Sequence, residues 1–182
     1  MNQAHSLFTE TEALPSRAMK DYLTKSWLTH DAMWFFNAYK ELGIETANRL
    51  NLAAIRAMVP LEIKRAKKLY GVGEKHFESF EEFYRFMRAV LHMVLPSSLL
   101  DCFTIEMTGP GTFCWEWKKG ECFAYKGVSM LGCIDRYKCG VITRIRYWLD
   151  ELGVEYRLEP EIRGCMMQEK GFCRGTFTCR LR

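Results

Sequence analysis

The residues of this chain best suited to chemistry are its cysteines. All eight lie between Cys102 and Cys179, and the first 101 residues contain none. Thiolates bind soft metal ions and attack electrophilic carbon, so this clustering predicts a site in the second half of the chain. In a reducing cytosol thiols stay free, and we therefore expect metal ligation, redox chemistry or ordinary burial rather than a disulfide framework.

The spacing of the cysteines restricts which of them can share a metal ion. Zinc–sulfur bonds of about 2.3 Å require liganding sulfurs to lie within roughly 4 Å of one another. Cys173 and Cys179 would stand about 20 Å apart along one strand, so one of the two is excluded. The segment between Cys133 and Cys139 is flanked by glycines, which favours irregular backbone that lets the two thiols converge. The predicted ligands are Cys133, Cys139, Cys165 and Cys173.

Burial without chemistry is the alternative interpretation for these thiols. Unpaired cysteine behaves as a small hydrophobic residue and is often fully buried. We expect this ordinary role for Cys102, Cys114 and Cys122, which fall in segments predicted to form a sheet.

A nucleophilic role is a second hypothesis for Cys139, which directly precedes a predicted helix. The positive end of a helix dipole favours an anionic sulfur. Among His5, His30, His76 and His92, only His30 has an adjacent carboxylate, Asp31, although local capping by Thr29 or Asp31 beside an incidental histidine is the favoured explanation of that pair. The alternative function is therefore a thiol- or metal-dependent hydrolase of a small C–N or C–S substrate, with catalytic residues Cys139, His30 and Asp31. Whether the protein is an enzyme stays open.

Aromatic and methionine side chains are numerous enough to surround an apolar small-molecule pocket. Packing in the core is the alternative for each of them. The candidate lining residues are Trp34, Phe35, Phe86, Met87, Trp115 and Trp117.

The elements expected to position these residues divide the chain into a helical region, 1–98, and a cysteine-rich region, 99–182, packed as one unit. Helices are predicted over about 16–28, 29–43, 45–58 and 61–70. Ser79 and Glu82 have the spacing of a capping box and predict a further helix that ends before Pro96.

The sequence pattern of the second region is typical of short strands separated by glycine-containing turns. Strands are predicted over about 100–107, 112–117, 121–125, 154–158 and 173–181, with one long helix over 141–152. The expected fold class is α+β, with an N-terminal helical bundle packed on a small antiparallel sheet and one long helix in the C-terminal half.

Charge and hydropathy exclude several partners. The net charge is +4 and is spread over both halves, which argues against nucleic-acid binding. No apolar run reaches membrane-spanning length, so we expect a cytoplasmic protein without membrane contact. The oligomeric state is left open.

The end of the chain resembles the 4-vinyl reductase-type small-molecule-binding domain. The resemblance is carried by the segments 139–142 and 152–156, followed by Glu161, Cys165, Gly171, Cys173 and Phe177. It implies a small-molecule ligand and a zinc ion held by Cys133 or Cys139 together with Glu161, Cys165 and Cys173.

The front of the chain, through segments 27–35, 41–43 and 47–50, resembles a family of uncharacterised cysteine-rich prokaryotic proteins. That family is loosely similar to the L-2-amino-thiazoline-4-carboxylic acid hydrolases, which implies hydrolase chemistry. Taken together, the sequence predicts a cytosolic small-molecule-binding module with a structural, cysteine-ligated metal. Zinc is favoured over an iron–sulfur cluster, which four cysteines also allow.

Overall fold

The computed structural model describes residues 16–73 and 77–181 and confirms the α+β class. His5 and His76 lie outside these residues. The helical first half consists of α1 (Ser16–Leu69), α2 (Phe80–Val94) and α3 (Ser97–Leu100). The second half contains β1 (Phe103–Gly109), β2 (Thr112–Trp117), α4 (Phe123–Met130), a 3-10 turn (Ile134–Arg136), α5 (Gly140–Glu151), β3 (Glu155–Glu159), α6 (Met166–Lys170) and β4 (Cys173–Arg180).

Helix α1 has two arms that meet at Gly43. The backbone there has φ 79° and ψ 167°, a conformation that residues with a side chain strongly avoid. The guanidinium of Arg144 lies 4.7 Å from the Trp27 ring of the first arm, and its Nε atom donates to the Glu62 carboxylate of the second arm at 3.1 Å. Both arms therefore reach the same side chain of α5. The chain therefore reverses direction at Gly43.

The predicted end of a helix at residue 43 matches this break, but two other predicted breaks are wrong. The first arm continues through residues 28 and 29, and the second continues through Pro60. Val59 and Ile63 are each 2% exposed, so the helix is buried on both sides of Pro60. This packing outweighs the cost of roughly 3 kcal/mol that proline imposes inside a helix.

Helix α2 begins where the capping signal predicts. The Ser79 hydroxyl accepts a hydrogen bond from the Glu82 amide at 3.1 Å, and the Glu82 carboxylate accepts one from the Glu78 amide at 2.8 Å. The apolar face of α2 is buried, with Phe83, Met87 and Val90 completely enclosed.

The four strands form one antiparallel sheet in the order β1-β2-β4-β3. Its core face carries a row of fully buried aromatic side chains that includes Phe113, Trp115, Trp117 and Phe177. The strand predicted over 121–125 is wrong, because this segment enters α4. β1 and β4 occupy both edges of β2, so no edge of β2 is left for the segment after Gly120 to pair with.

Helix α5 packs along α1 and joins the two halves. The Glu62 carboxylate forms an ion pair with Arg144 and also accepts a hydrogen bond from the Trp148 indole at 2.7 Å. Within the described ranges, no helix has the length and apolar character needed to cross a membrane.

Candidate functional site

Four cysteine thiols line one small, enclosed cavity of about 10 Å³. The thiols belong to Cys122, Cys139, Cys165 and Cys173. The rest of the wall is almost entirely apolar or aromatic and consists of Trp117, Ala124, Tyr125, Tyr137, Val141, Ile142, Ile162, Met166 and Met167. A volume of this size accommodates about one atom, which suits an ion and excludes an organic ligand.

Three of the four cysteines occupy the same kind of position. Cys122, Cys139 and Cys165 are the residues that directly precede α4, α5 and α6, so three helix starts meet at the cavity. Cys173 is the first residue of β4 and pairs with Trp117 of β2 on the core face of the sheet. The thiols therefore come from four separate elements.

The cavity keeps its thiols protonated in the absence of a metal. Desolvation raises the pKa of Cys122 to about 11 and that of Cys139 to about 12, and it also raises the pKa values of Cys165 and Cys173. Interaction with the backbone amides of Ile142 and Val141 lowers the pKa of Cys139, although neither contact meets the geometry of a capping hydrogen bond. Corresponding amides act on Cys122 and Cys165. The helix starts thus favour negative sulfur, while burial opposes it.

The thiols also influence one another electrostatically. Negative charge on Cys122 or Cys165 raises the pKa of Cys139, and charge on any of these three raises the pKa of Cys173. All four sulfurs therefore lie close enough that charging one of them disfavours charging the next. A bound cation would reverse that relation, because it favours every thiolate around it.

Asn48 of α1 holds the segment that presents Cys139. Its amide group donates to the Arg136 carbonyl at 2.8 Å, and its oxygen accepts from the Lys138 amide at 3.0 Å. Asn48 is only 1% exposed, so these bonds form in the interior. The Tyr137 hydroxyl accepts from the Gly140 amide at 3.1 Å, which fixes the backbone on the other side of Cys139.

Gly140 allows α1 to approach this segment closely. A Cβ atom on Gly140 would lie 2.9 Å from the Ile55 side chain and 3.0 Å from the Asn51 amide nitrogen. A larger residue at this position would therefore force the Ile55 and Asn51 side chains of α1 to shift.

Two further contacts tie the remaining segments of the cavity together. Gln168 of α6 donates to the Asp135 carboxylate of the 3-10 turn at 2.8 Å. The Gly120 amide donates to the Met167 sulfur at 3.3 Å, which joins the segment before Cys122 to α6.

The structure brings together three of the four predicted ligands, Cys139, Cys165 and Cys173. Cys133 is buried but does not line the cavity, and Cys122 occupies the fourth position. The sequence predicts a strand over 121–125 and ordinary burial for Cys122, whereas the structure places this thiol at a helix start. The spacing of Ala124, Val128 and Leu131 fits one face of a helix and was the available signal that Cys122 precedes a helix start.

The six candidate pocket residues do not share a cavity. Phe86, Met87, Trp115 and Trp117 are buried in the core, and Phe35 packs edge-on against Tyr137 at 5.7 Å. Trp34 is 51% exposed on α1. Of the six, Trp117 lines the thiol cavity.

The residues of the alternative catalytic group are also separated. His30 and Asp31 lie on the exposed side of α1 and do not line the cavity that contains Cys139. Cys139 is partly buried, and desolvation raises its pKa, which is the opposite of an activated nucleophile. Glu161, the carboxylate that the family resemblance implies, is exposed and paired with Arg163 at 2.9 Å.

The thiols suit a metal ion by donor type, although their present arrangement is not a coordination sphere. Among the described residues, no three His, Cys, Asp or Glu side chains are arranged to hold a metal ion. Binding therefore requires the cysteine side chains to turn toward a common centre and to lose their protons. None of the eight cysteines is in a disulfide, so all four remain available as ligands.

A larger groove lies next to the thiol cavity. It has a volume of about 650 Å³, runs between the end of α5 and β3, and shares the Ile162 side chain with the cavity wall. Arg146 lies in this groove and donates to the Tyr156 hydroxyl at 3.2 Å. The groove is open to solvent, and polar atoms form more than half of its lining.

No family model, curated protein or solved structure matches this chain. The two family resemblances therefore stay predictions, and the function has to be inferred from the site itself.

Proposed function

We propose that the protein is a small-molecule-binding module whose second half is held together by one thiophilic metal ion. The ion is bound by Cys122, Cys139, Cys165 and Cys173, and zinc is the favoured metal. The observation that supports this proposal is that four thiols from four separate elements line one cavity of atomic size. Four protein thiolates fill a tetrahedral zinc site, which is the pattern of a structural rather than a catalytic metal.

Cavity size favours a single ion over an iron–sulfur cluster. A cluster contains several iron and sulfide atoms, whereas about 10 Å³ accommodates one atom. The cavity would have to open substantially to admit a cluster, and its walls are the buried side chains of Trp117, Tyr137 and Met166.

The groove beside the cavity is the proposed ligand site. Its walls come from α5, β3 and the segment that leads to Cys165, and the proposed ion joins the start of α5 to this segment. The Arg146 guanidinium, the Tyr156 hydroxyl and the Asp150 carboxylate supply polar contacts, while Val154, Leu158 and Ile162 supply apolar ones. A small amphiphilic molecule fits this lining, and its binding would depend on the metal.

Metal analysis of matched cysteine variants tests the proposal. The wild-type chain, purified under reducing conditions with added zinc, should retain about one zinc per chain after desalting. Cys165→Ser and Cys173→Ser should each lose it. Cys179→Ser is the matched control, because Cys179 is a buried thiol on the same strand as Cys173 but does not line the cavity. Full zinc occupancy in Cys165→Ser and Cys173→Ser would contradict the proposal and favour inert burial.

A further inference from the structure

The first arm of α1 carries large apolar side chains on its solvent side. Five of them are between 44% and 71% exposed, namely Met19, Tyr22, Leu23, Met33 and Trp34. Three exposed polar residues, Ser26, His30 and Asn37, continue the same spacing. Steps of three or four residues place all eight side chains on one face of the helix, which we call the outer stripe. At 1.5 Å per residue the outer stripe is roughly 27 Å long.

The outer stripe contains no lysine, arginine, aspartate or glutamate, although the same span of the helix has four such residues. These are Lys20, Asp21, Lys25 and Asp31. The Lys20 ammonium donates to the His92 carbonyl at 2.6 Å, and the Asp21 carboxylate accepts from the Ser97 amide at 2.9 Å. Both charged side chains therefore reach α2 and α3. The solvent side of a surface helix normally holds its charges, so an uncharged apolar stripe is typical of a contact surface.

The inner side of the same arm already packs on the rest of the fold. The Phe35 ring lies edge-on against Tyr137, with the centroids 5.7 Å apart, and the Trp27 ring lies against Arg144. The first arm thus has apolar side chains on two opposite faces, and only the inner one is covered by residues of the described chain. A helix that is apolar on both faces is buried on both in a stable assembly.

The outer stripe is symmetric about position 28. Tyr22 and Leu23 lie six and five residues before this position, and Met33 and Trp34 lie five and six residues after it. Ser26 and His30 lie two residues away on either side. In an antiparallel helix pair with a two-fold axis at position 28, each apolar pair would cover the other apolar pair of the second copy. An interface between identical chains requires this self-complementarity.

We propose that two copies of this chain form a two-fold symmetric dimer in which their outer stripes pack antiparallel. Leu23 of one copy lies against Trp34 of the other, and the small Ser26 near the axis allows the helix axes to approach to about 8–10 Å. Burial of the five large side chains in both copies removes on the order of 1,000 Å² of surface from water, which is the range of a specific interface. The dimer does not depend on the thiol cavity or on a metal.

A matched pair of exposed leucines tests the surface. The mass of the full chain is measured by light scattering and sedimentation at micromolar concentrations, where the wild type should be dimeric. Leu23→Glu should weaken the dimer by at least about a hundredfold, because two carboxylates would be buried against apolar side chains. Leu61→Glu is the control, since Leu61 is 55% exposed and Leu23 is 59% exposed, but Leu61 lies on the second arm. The control should stay dimeric.

A mixing experiment tests the antiparallel arrangement. Trp34→Lys should also be monomeric alone, because two lysines would enter the interface. In an equimolar mixture of Leu23→Glu and Trp34→Lys, the introduced carboxylate of one chain would lie against the introduced ammonium of the other. Native mass spectrometry should therefore detect a heterodimer, whereas a parallel pair would place residue 23 against residue 23 and restore nothing.

Three results would overturn the proposal. The first is a monomeric wild-type chain, and the dimerisation of that chain only after removal of residues 1–15 would identify this segment as the occupant of the outer stripe. The second is an equal effect of Leu23→Glu and Leu61→Glu, which would place the interface elsewhere. The third is the absence of a heterodimer in the mixture. Circular dichroism of each variant verifies that the helices are retained.

Discussion

At the scale of single residues, the folded protein without a metal favours the protonated thiols of the cavity over their thiolates. Burial raises the pKa of Cys122 from the usual 9.0 to about 11 and that of Cys139 to about 12. Each unit of raised pKa corresponds to roughly 1.4 kcal/mol of preference for the neutral form in the fold. Metal binding replaces these protons, so the ion and the protons compete for the same four sulfurs.

The metal-free protein should therefore lose stability in alkaline solution. The fold raises the pKa values of Cys122 and Cys139, so it favours their protonated thiols. The stability that the protonated thiols contribute is fully present below pH 9.0, the usual thiol pKa, and is lost as the pH rises toward about 11–12. The free energy of unfolding, measured by urea titration of the chelated protein, should fall across this window. The slope should be smaller in Cys122→Ala, and an identical slope in that variant would contradict the assignment to the cavity.

The partly buried ion pair between Glu62 and Arg144, whose acceptor also receives the hydrogen bond of the buried Trp148 indole, is the second residue-scale feature with a measurable effect. Glu62→Ala would leave the Arg144 guanidinium and the Trp148 indole without their shared acceptor. We expect a loss of about 3–5 kcal/mol in the free energy of unfolding. Glu159→Ala is the control, because its exposed pair with Arg157 should contribute less than about 1 kcal/mol. A loss as small as that of the control would contradict the prediction.

At the scale of elements, α1 acts as the support against which the cavity is built. Asn48 and Gly140 set the distance between α1 and the segment that carries Cys139, and this segment has no regular secondary structure of its own from Tyr137 to Cys139. A residue of the first half of the chain therefore holds the backbone next to a thiol of the second half.

Removal of the Asn48 side chain should affect both stability and metal binding. Asn48→Ala leaves the Arg136 carbonyl and the Lys138 amide unpaired in the interior, and we expect a loss of about 2–4 kcal/mol. Zinc affinity, measured by competition with a chromophoric chelator, should fall as well. Asn37→Ala is the control, since Asn37 is exposed and bonds only within its own helix. Unchanged zinc affinity in Asn48→Ala would show that the segment is held by other contacts.

The reversal of α1 depends on Gly43. Gly43→Ala should cost about 1–3 kcal/mol, because a side chain strongly disfavours this backbone conformation even though no atom lies within 4 Å of the added carbon. Gly127→Ala provides the contrast, since Gly127 lies inside α4 with equally open surroundings. Because alanine favours the helix more than glycine does, this variant should gain up to about 1 kcal/mol in the free energy of unfolding. Thermal unfolding of both variants measures the difference, and equal shifts would argue against strain at Gly43.

At the scale of the whole molecule, the two halves depend on different sources of stability. The α1–α2 region is built from ordinary apolar packing around residues such as Phe83, Met87 and Ala66, and it contains no cysteine. The second half combines a four-stranded sheet with three helices whose starts meet at the thiols.

Metal removal should therefore loosen the molecule unevenly. Hydrogen exchange of the amides at the starts of α4 and α5 should accelerate when the zinc-loaded protein is chelated, while exchange in the buried part of α2 should change little. Mass spectrometry of peptides that cover 122–142 and 83–91 measures both. Equal acceleration in the two regions would indicate that the proposed ion is not confined to the thiol cavity.

The amino-acid sequence was sufficient for features that depend on neighbouring residues. The α+β class, the start of α2 at its serine cap, the helix break at Gly43, β2 and α5 all follow from local periodicity, capping and glycine placement. Simple strand geometry also separates Cys173 from Cys179, and the structure places only Cys173 at the cavity. These signals act over a few residues and need no knowledge of distant contacts.

Tertiary structure decided the features that depend on residues far apart in the chain. The segment after Gly120 forms a helix because β4, more than fifty residues later, occupies the edge of β2 that a third hairpin strand would need. The start of this helix carries Cys122, which lines the thiol cavity, whereas Cys133 lies outside it. Pro60 remains helical because α1 is buried on both sides of it. The grouping of the four thiols was beyond local inference, since it is produced by the docking of separate elements around one shared centre.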